Sequence, residues 1–439
     1  MNRPFLDRPV PAPWPPMQAV AVPSEPLTAA DRLRRKDRVA FWAAVAMVLI
    51  FSQGWQLPLV RELPSTNTVL LQGGFFPAYG IALAIIFGSL WNATRATLRQ
   101  PFLIMLMIVV VASVTWSVDP STSARRAFAV VCTSLAGIAL AGRFRWAVMA
   151  DVLATAFAIL VLASFFTGIA WREIGVMREI FPGAWRGLWI EKNILGGIMA
   201  QGFGIFGAAA MLNPKRAKLW CVFAVLAAVL LILSQSKTSL VAMMIGAAAI
   251  GFIYVVQRGP AIGTAALWLA VTGAAVLAGF VFLASDVFFG LLGKDATFTG
   301  RTRIWSAIIR QVEQRPWTGF GYSAVWSDTS GRGPFAWIVK EAGFTPEHAH
   351  NSWLEQWLGL GFFGLVAWGM FFLQTMALAL IAVFRTKGAY LAFPFLLIFS
   401  LQTLTESIAV VYNDFRWTLF VAFAIKLAFP DRELDAKKA

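Results

Sequence analysis

The feature that most constrains this chain is a series of long apolar runs that recur along nearly its whole length. Each run has about 20 residues, enough to cross the ~30 Å hydrocarbon layer of a bilayer as a helix. A helix satisfies its own backbone hydrogen bonds, which lipid cannot do. The chain is 59% apolar and only 13% charged, whereas soluble domains carry about 25% charged residues. The sequence therefore predicts an all-α integral membrane protein.

About twelve transmembrane helices are predicted from these runs. They lie at 39–57, 72–91, 101–118, 126–142, 146–170, 193–212, 218–235, 239–257, 263–286, 353–384, 389–411 and 415–430. Residues 1–38 are rich in proline, end in a basic cluster and are expected to form a disordered cytoplasmic tail. Residues 39–430 then form the membrane domain, and 431–439 form a second cytoplasmic tail.

The net charge of +15 is expected to orient the helices rather than to bind nucleic acid. Five short connections on one side carry Arg or Lys and no acid: 92–100, 142–145, 213–218, 257–259 and 385–388. Positive connections mark the cytoplasmic side, so both termini are expected there. The longest connection, 286–352, then lies on the periplasmic side. A loop of this length usually has its own helices or a function, so we expect it to be partly helical.

The only two histidines of the chain, His348 and His350, lie together where this loop enters the next apolar run. Histidine titrates near neutral pH, which makes it a natural general base. The two are separated by one residue, and no third ligand of the zinc type lies nearby in the sequence. We therefore expect a base, because a metal site would need distant carboxylates as further ligands; a histidine merely packed at the interface is the other alternative.

Cationic residues in the outer connections suggest an anionic ligand. A short helix is predicted from Thr299 to Pro316, lying on the membrane surface through Trp305, Ile308, Ile309 and Val312. Its first turn carries Arg301 and Arg303, and a helix N-terminus with two arginines suits a phosphate or diphosphate. In the alternative interpretation, the outer cations pair with neighbouring acids or with lipid phosphates.

Three further cations and two polar residues complete the candidate set. Arg186 and Lys192, followed by Asn193, lie in the connection before the predicted span at 193–212, and Lys237 lies in the polar sequence SQSKTS. Glu406 lies near the outer end of a predicted span, where an acid is costly and is therefore usually paired or functional. We expect it to pair with an Arg or Lys.

Four motifs resemble those of the O-antigen ligase and polysaccharide polymerase superfamily of bacterial envelopes. They are RGLWIEKN, SQSKTS, GRTRIW followed by RPWTGFGY, and HAHNSWLEQWLGLGFFG, over roughly residues 180–410. The resemblance implies a membrane-embedded glycosyltransferase of the GT-C type in the bacterial inner membrane, with its active site facing the periplasm. It also implies an undecaprenyl-diphosphate-linked glycan donor, a glycan or lipid-linked acceptor, inversion at the transferred sugar, and neither metal nor cofactor. Membrane lipids and other polysaccharide-assembly proteins are the further expected partners.

The resemblance also suggests roles for individual residues. His350 would take the acceptor proton, although His348 precedes it and either could act. Arg186, Lys192, Lys237, Arg301 and Arg303 would hold the diphosphate, with Arg301 also counted as catalytic. Asn351 would orient the loop or a sugar. Asn193 and Glu406 are further candidates for binding substrate.

Two alternatives to a polymerase remain open at this stage. The WRGLWIEKN sequence resembles the exopolysaccharide-polymerase branch, which favours chain extension on a lipid-linked repeat. An O-antigen ligase would instead transfer the glycan to lipid A-core or to a protein. A lipid-glycan flippase is the remote alternative, because transporters place polar groups at the bilayer midplane and often contain repeats, whereas no repeat is evident here.

Overall fold

The computed structural model describes residues 35–62, 68–283, 301–328 and 331–434, and the regular structure within them is helical. The chain divides into two units, Met1–Ala40 and Phe41–Ala439. Most of the predicted N-terminal tail, the end of the C-terminal tail and the predicted cap Thr299 lie outside the described residues.

The α-helices are numbered in chain order. They are α1 (Arg35–Phe51), α2 (Gln56–Glu62), α3 (Thr68–Gly73), α4 (Phe76–Gly88), α5 (Leu90–Leu98), α6 (Pro101–Ala112), α7 (Pro120–Arg143), α8 (Trp146–Ala170), α9 (Arg172–Gly175), α10 (Lys192–Leu212), α11 (Ala217–Leu233), α12 (Lys237–Val256), α13 (Pro260–Leu283), α14 (Arg301–Val312), α15 (Pro334–Ala342), α16 (Ser352–Arg385), α17 (Ala389–Thr403) and α18 (Phe415–Ala428). The all-α membrane architecture predicted from the sequence is confirmed.

Fewer helices than predicted are long and apolar enough to span a membrane. The described residues contain seven, or nine if two bent pairs each count as one span. The bent pairs are α1 with α2, at 65°, and α5 with the segment that begins at α6, at 89°. The predicted connection 92–100 is therefore mostly helical, since α5 occupies it. Two of the other predicted spans, 389–411 and 415–430, are only short helices of 15 and 14 residues.

The predicted span at 389–411 is wrong in its second half, because α17 ends at Thr403. Residues 404–414 run as turns instead, until Asp414 caps α18 by accepting a hydrogen bond from the Arg416 amide at 2.7 Å. Side-chain capping of this kind competes with helix continuation. The short α18 is tolerated because nearly all of it is buried against other helices. Residues 404–414 are therefore a connection within the protein and not the end of a membrane span.

The predicted surface helix exists as α14, but its apolar face packs on protein. Ile304, Ala307, Ile308 and Val312 are buried in a small hydrophobic core with α15 and the start of α16. The expected apolar residue Ile309 is instead 40% exposed. Because the apolar face packs on protein, the helix and the Arg301 at its start are held in one position. A helix lying on lipid would not fix Arg301 in this way.

Glycines let the long loop press against α16. The helix is broken at Gly361, whose φ of 66° is in the left-handed region. A Cβ atom at Gly361 would lie 2.3 Å from the Trp317 carbonyl oxygen, and one at Gly319 would lie 2.6 Å from the Gly361 nitrogen. Backbone hydrogen bonds cross this contact, for example from Phe362 to the Pro316 oxygen at 2.8 Å. Residues 316–319 of the loop are therefore held directly against the break in α16 at Gly361.

The helices define two ends of the bundle. We call the end that carries α14, α15 and the start of α16 the loop end. The other end, which contains Arg143, Arg385 and Lys426, is called the opposite end. Helices α10, α12 and α16 begin at the loop end, and α17 finishes there.

Candidate active site

His350 is positioned by the start of α16. The Asn351 side chain accepts hydrogen bonds from the amides of Trp353 and Leu354, at 2.9 and 3.1 Å, and so caps the helix. His350 itself has φ of 51°, a left-handed value that is uncommon outside glycine. Asn351 therefore fixes the loop and the direction of His350, which is one of the two roles predicted for it.

Glu406 bridges His350 and Arg301. Its Oε2 lies 3.2 Å from His350 Nδ1, and its Oε1 lies 3.1 Å from Arg301 Nη2. The three side chains are 18% to 30% exposed. The expected pairing of Glu406 with a basic residue is thus present, and the carboxylate also holds the histidine. The non-helical connection 404–414 makes this contact possible, because it places Glu406 outside α17 and beneath the loop that carries His350.

The environment of Glu406 favours its ionised form. Burial opposes ionisation, but the hydrogen bond with His350 and the charge of Arg301 outweigh it, so the pKa of Glu406 is below its ordinary value. An ionised Glu406 is an acceptor only. It therefore suits a histidine that presents an N–H at Nδ1.

His348 has a different role in the cluster. Its Nδ1 accepts a hydrogen bond from the His350 backbone amide at 3.1 Å, and the two rings are 4.0 Å apart between centroids. Burial first, and then the charge of His350, lower the pKa of His348 from 6.5 to about 4. Near neutral pH its ring is therefore uncharged, with the proton on Nε2. That nitrogen can donate a hydrogen bond but has no lone pair for a proton.

Two residues that the sequence analysis did not select hold the loop under His350. The Ser352 hydroxyl donates to the Glu406 carbonyl oxygen at 2.8 Å. The Glu355 carboxylate accepts from the Ala349 amide at 3.0 Å and from the Ser407 hydroxyl at 3.1 Å. Glu355 is an acid in the first turn of a long apolar helix, and that unusual placement could have identified it.

Lys192 and Lys237 stand at neighbouring helix N-termini. They are the first residues of α10 and α12, which pack together, and their charges interact. A Cβ atom at Gly196 would lie 2.8 Å from the hydroxyl oxygens of Ser234 and Ser239, so glycine permits this close approach. Two helix dipoles and two ammonium groups make this a favourable place for an anion.

Glu191 connects the two lysines with the histidine cluster. It is the cap residue of α10, directly before Lys192. Burial, followed by the nearby charge of Glu406, raises the pKa of Glu191, while His350 and Arg301 act in the opposite direction. The N-terminus of α10 therefore lies within electrostatic reach of Arg301, Glu406 and His350.

The structure gives Arg186 a different set of partners from the other predicted cations. Its guanidinium donates to the carbonyl oxygens of Ile174, at 2.7 Å, and Glu173, at 3.0 Å. Burial and the charge of Arg61 lower its pKa. Arg186 thus fixes the backbone around α9, and this occupies N–H groups that a diphosphate would need. Arg303 and Asn193 are exposed at the starts of α14 and α10.

No third metal ligand lies near the histidines in the sequence, but the fold brings a distant carboxylate, Glu406, beside them. His348, His350 and Glu406 each offer one ligand atom, and these atoms lie within 4.8 Å of one another. The chemistry of the set is compatible with a divalent transition-metal ion. However, Arg301 already holds Glu406 through Oε1, and the His350 amide already occupies His348 Nδ1. Both contacts reduce the capacity of the set for a metal.

Comparison with known proteins finds similarity over part of the chain. Residues 222–369, from α11 to α16, match the family described as O-antigen ligase. Over this segment the chain is similar to that family, in agreement with the resemblance of its motifs. A curated relative, the exopolysaccharide production protein ExoQ of Rhizobium meliloti (strain 1021), is 32% identical over 195 residues. That match covers 41% of this chain and 43% of the relative, so the chain aligns with less than half the relative's length.

Proposed function

We propose that this protein joins a lipid-diphosphate-linked glycan to an acceptor hydroxyl, with Glu406 and His350 acting as a catalytic pair. The observation that carries the proposal is the carboxylate of Glu406 bridging His350 Nδ1 and Arg301. Such a carboxylate holds the proton on Nδ1 and leaves Nε2 of His350 as a base. This assigns the base to His350 rather than His348, whose accepting nitrogen is already occupied.

The proposed step balances without a metal ion or a redox group. His350 Nε2 takes the proton from the acceptor hydroxyl while its oxygen attacks the anomeric carbon of the donor sugar. The bond from that carbon to the diphosphate oxygen breaks, and undecaprenyl diphosphate leaves with the electron pair. Attack opposite the leaving group inverts the configuration. Ionised Glu406 stabilises the imidazolium that forms.

The departing diphosphate needs positive charge. Arg301 lies beside the catalytic pair, Arg303 is in the same helical turn, and Lys192 and Lys237 lie at the neighbouring helix N-termini. Arginine and lysine can bind phosphate oxygens directly. Arg186 is left out of this group because its donors hold backbone carbonyls. The bundle end that carries these groups faces the periplasm in this proposal, with the membrane domain in the inner membrane.

Polymerisation is the preferred form of the reaction. The relative ExoQ is described as an exopolysaccharide production protein, and the motif WRGLWIEKN of this chain resembles the exopolysaccharide-polymerase branch. Ligation to lipid A-core is the second candidate, supported by the description of the matching family as O-antigen ligase. Deletion of the gene separates them. Loss of long chains on undecaprenyl diphosphate indicates a polymerase, and normal chains missing only from their final acceptor indicate a ligase.

The test of catalysis uses purified protein and the lipid-linked oligosaccharide extracted from a deletion strain. We expect His350→Ala to lower the transfer rate by about 10²–10⁴-fold, the usual contribution of a general base. His348→Gln is the matched control and should lose much less. Near-normal transfer by His350→Ala, or equal loss in both variants, would contradict the assignment.

A chelator tests the metal-free mechanism in the same assay. Because Arg301 holds Glu406, we expect transfer to continue after EDTA treatment and to gain nothing from added Zn²⁺ or Mn²⁺. Loss of activity with EDTA and recovery with one ion would assign the His348, His350 and Glu406 set to a metal instead.

A further inference from the structure

A cavity of about 410 Å³ opens beside His348. Its volume is within the range of small-ligand pockets, about 300–1,000 Å³. His348 and Glu347 form part of its wall, whereas Arg301, Lys192 and Lys237 do not. The His348 ring lies 4.0 Å from that of His350. The cavity therefore ends one ring away from the catalytic pair.

The cavity wall is rich in primary amides. It includes Gln53, Gln56, Gln72, Gln356 and Asn413. Some of these also support the fold: Gln53 donates to the Asn413 carbonyl oxygen at 2.9 Å, and Gln356 donates to that of Ala409 at 3.0 Å. Within the described residues, the Gln56 and Gln72 side chains make no hydrogen bond. Amides that the fold does not use can pair with the hydroxyls of a ligand.

Aromatic rings and few charges complete the wall. Trp326 and Tyr412 line it, and indole or phenol rings provide apolar faces that can pack on sugar rings. The charges there are largely engaged by the protein, since Arg126 donates to the Ser323 carbonyl oxygen and Glu355 accepts from Trp326. Such a wall suits an uncharged, polyhydroxylated ligand and offers little to a diphosphate.

The backbone around the cavity is unusual. The described chain has six non-glycine residues with positive φ, between 51° and 61°. Gln53, Ser323, Val410 and Asn413 line the cavity, and a fifth is His350. Residues in this region of backbone space are uncommon and cluster at functional sites. This observation is independent of the amide composition, and it connects the cavity with the catalytic histidine.

We propose that the cavity binds the acceptor glycan as an uncharged oligosaccharide end and presents its hydroxyl to His350. The proposal rests on the proposed function, because it assigns the second substrate of the same reaction. The donor then approaches from the side of Arg301, Lys192 and Lys237. His348 lies between the two substrates, and its Nε2–H donates to the acceptor sugar. The two substrates are thus separated by chemistry: amides and rings on one side, cations on the other.

The test uses Gln56→Ala, Gln72→Ala and the double variant, since these side chains support no described hydrogen bond. The matched control is Gln314→Ala, an exposed glutamine near the end of α14 that does not line the cavity. The acceptor probe is the repeat oligosaccharide of the host's own polymer, freed from its diphospholipid by mild acid. The donor is the intact lipid-linked oligosaccharide.

We expect each single variant to raise the KM for the freed oligosaccharide by two- to tenfold, the effect of one lost hydrogen bond. The double variant should raise it by more than about tenfold, with the KM for the donor within twofold of the control. An unchanged acceptor KM, or an effect on the donor KM alone, would overturn the proposal.

Binding separates this proposal from the proposed function. The His350→Ala protein keeps the cavity, so it should bind the freed oligosaccharide, and combination with the double variant should abolish that binding. Binding without transfer by the wild-type protein would refute the catalytic proposal and leave the acceptor site intact. Absence of binding, or equal binding with and without Gln56 and Gln72, would refute the acceptor site.

Discussion

The two ends of the bundle use ion pairs in different ways. At the opposite end, Lys426 of α18 is fully buried and lies 2.7 Å from Asp431, which also accepts from the Trp146 amide at 3.3 Å. At the loop end, Glu406 of the 404–414 connection pairs with Arg301 and His350, and all three remain partly exposed. In the first arrangement Lys426 has no exposure, and only Asp431, which is 35% exposed, reaches solvent. The second is open on the side where a substrate can enter.

The helices at the loop end also follow an irregular course. Helix α17 finishes at the loop end, and α1 passes there through the left-handed Gln53 into a bend of 65° with α2. At the opposite end α7 runs without a break to Arg143, and its final residues are buried. Broken spans expose polar backbone, which is tolerated at membrane depth only where protein or a water-filled cavity satisfies it. The opposite end has its own bend, of 89° after α5, but there the buried Gln100 side chain donates to the Ala424 carbonyl oxygen, so protein satisfies the break. The cavity lies at the loop end.

The largest expected effect contrasts Glu406 with Asp431. We expect Glu406→Gln to lower the transfer rate by about 10²–10⁴-fold, because an amide can donate to Nδ1 and favour the wrong tautomer of His350. Asp431→Asn should leave Lys426 buried without its anion, which costs about 3–5 kcal/mol of stability. Asp431→Asn protein that does fold should transfer glycan at the normal rate.

The measurements are the rate per folded molecule and the melting temperature, both in the same detergent. If Glu406→Gln lowers the melting temperature as much as Asp431→Asn and keeps its rate, then both pairs are structural. The contrast between the two ends would then be lost.

A smaller effect should separate two arginines at the loop end. Arg301 faces the catalytic pair, whereas Arg186 holds backbone carbonyls around α9. We expect Arg301→Gln to reduce kcat/KM for the donor by about 10²–10³-fold, as for loss of one group that stabilises developing charge. Arg186→Gln should reduce the yield of folded protein with donor kinetics close to normal.

Donor titrations at saturating acceptor provide the comparison. A large donor effect in Arg186→Gln, with little in Arg301→Gln, would reverse the two roles. It would support instead the diphosphate contact that the sequence suggested for Arg186.

Much of this site follows from local sequence, and the remainder depends on contacts between distant residues. The apolar runs predict membrane helices, and the sequence around His350 predicts the loop-to-helix junction with Asn351 at its start. The contact of His350 with Glu406 joins residues 56 positions apart. No spacing rule reaches across a helix hairpin of that length. The apolar residues 408–411 also made 389–411 look like one span, which hid the break that exposes Glu406.

The tryptophans show the same limit. Many tryptophans of the sequence lie on the predicted outer side, a distribution typical of an interfacial aromatic belt and of surfaces that stack on sugars. In the structure several indoles hold loops together: Trp305 donates to the Ala349 carbonyl oxygen at 2.9 Å, and Trp189 donates to that of Ser52 at 2.8 Å. Trp326 is the tryptophan that lines the described cavity. Composition could indicate the ring type, but only tertiary packing decides which ring meets a ligand.

The smallest expected effect is a pH dependence of stability that comes from His348. Its pKa is lowered in the fold from 6.5 to about 4, so between these values the unfolded chain binds a proton that the folded protein does not. The stabilising effect of keeping the ring neutral is full above pH 6.5 and is lost as the pH falls toward 4.

Melting temperatures between pH 7.5 and 4.5 test this, for the wild type and for His348→Gln. We expect the wild-type value to fall with pH more steeply than that of the variant, by an amount equivalent to about 1–3 kcal/mol. Parallel curves would show that His348 titrates alike in both states, as an exposed ring would. Its hydrogen bond from the His350 amide would then be too weak to fix the tautomer, and the assignment of the base to His350 would lose that support.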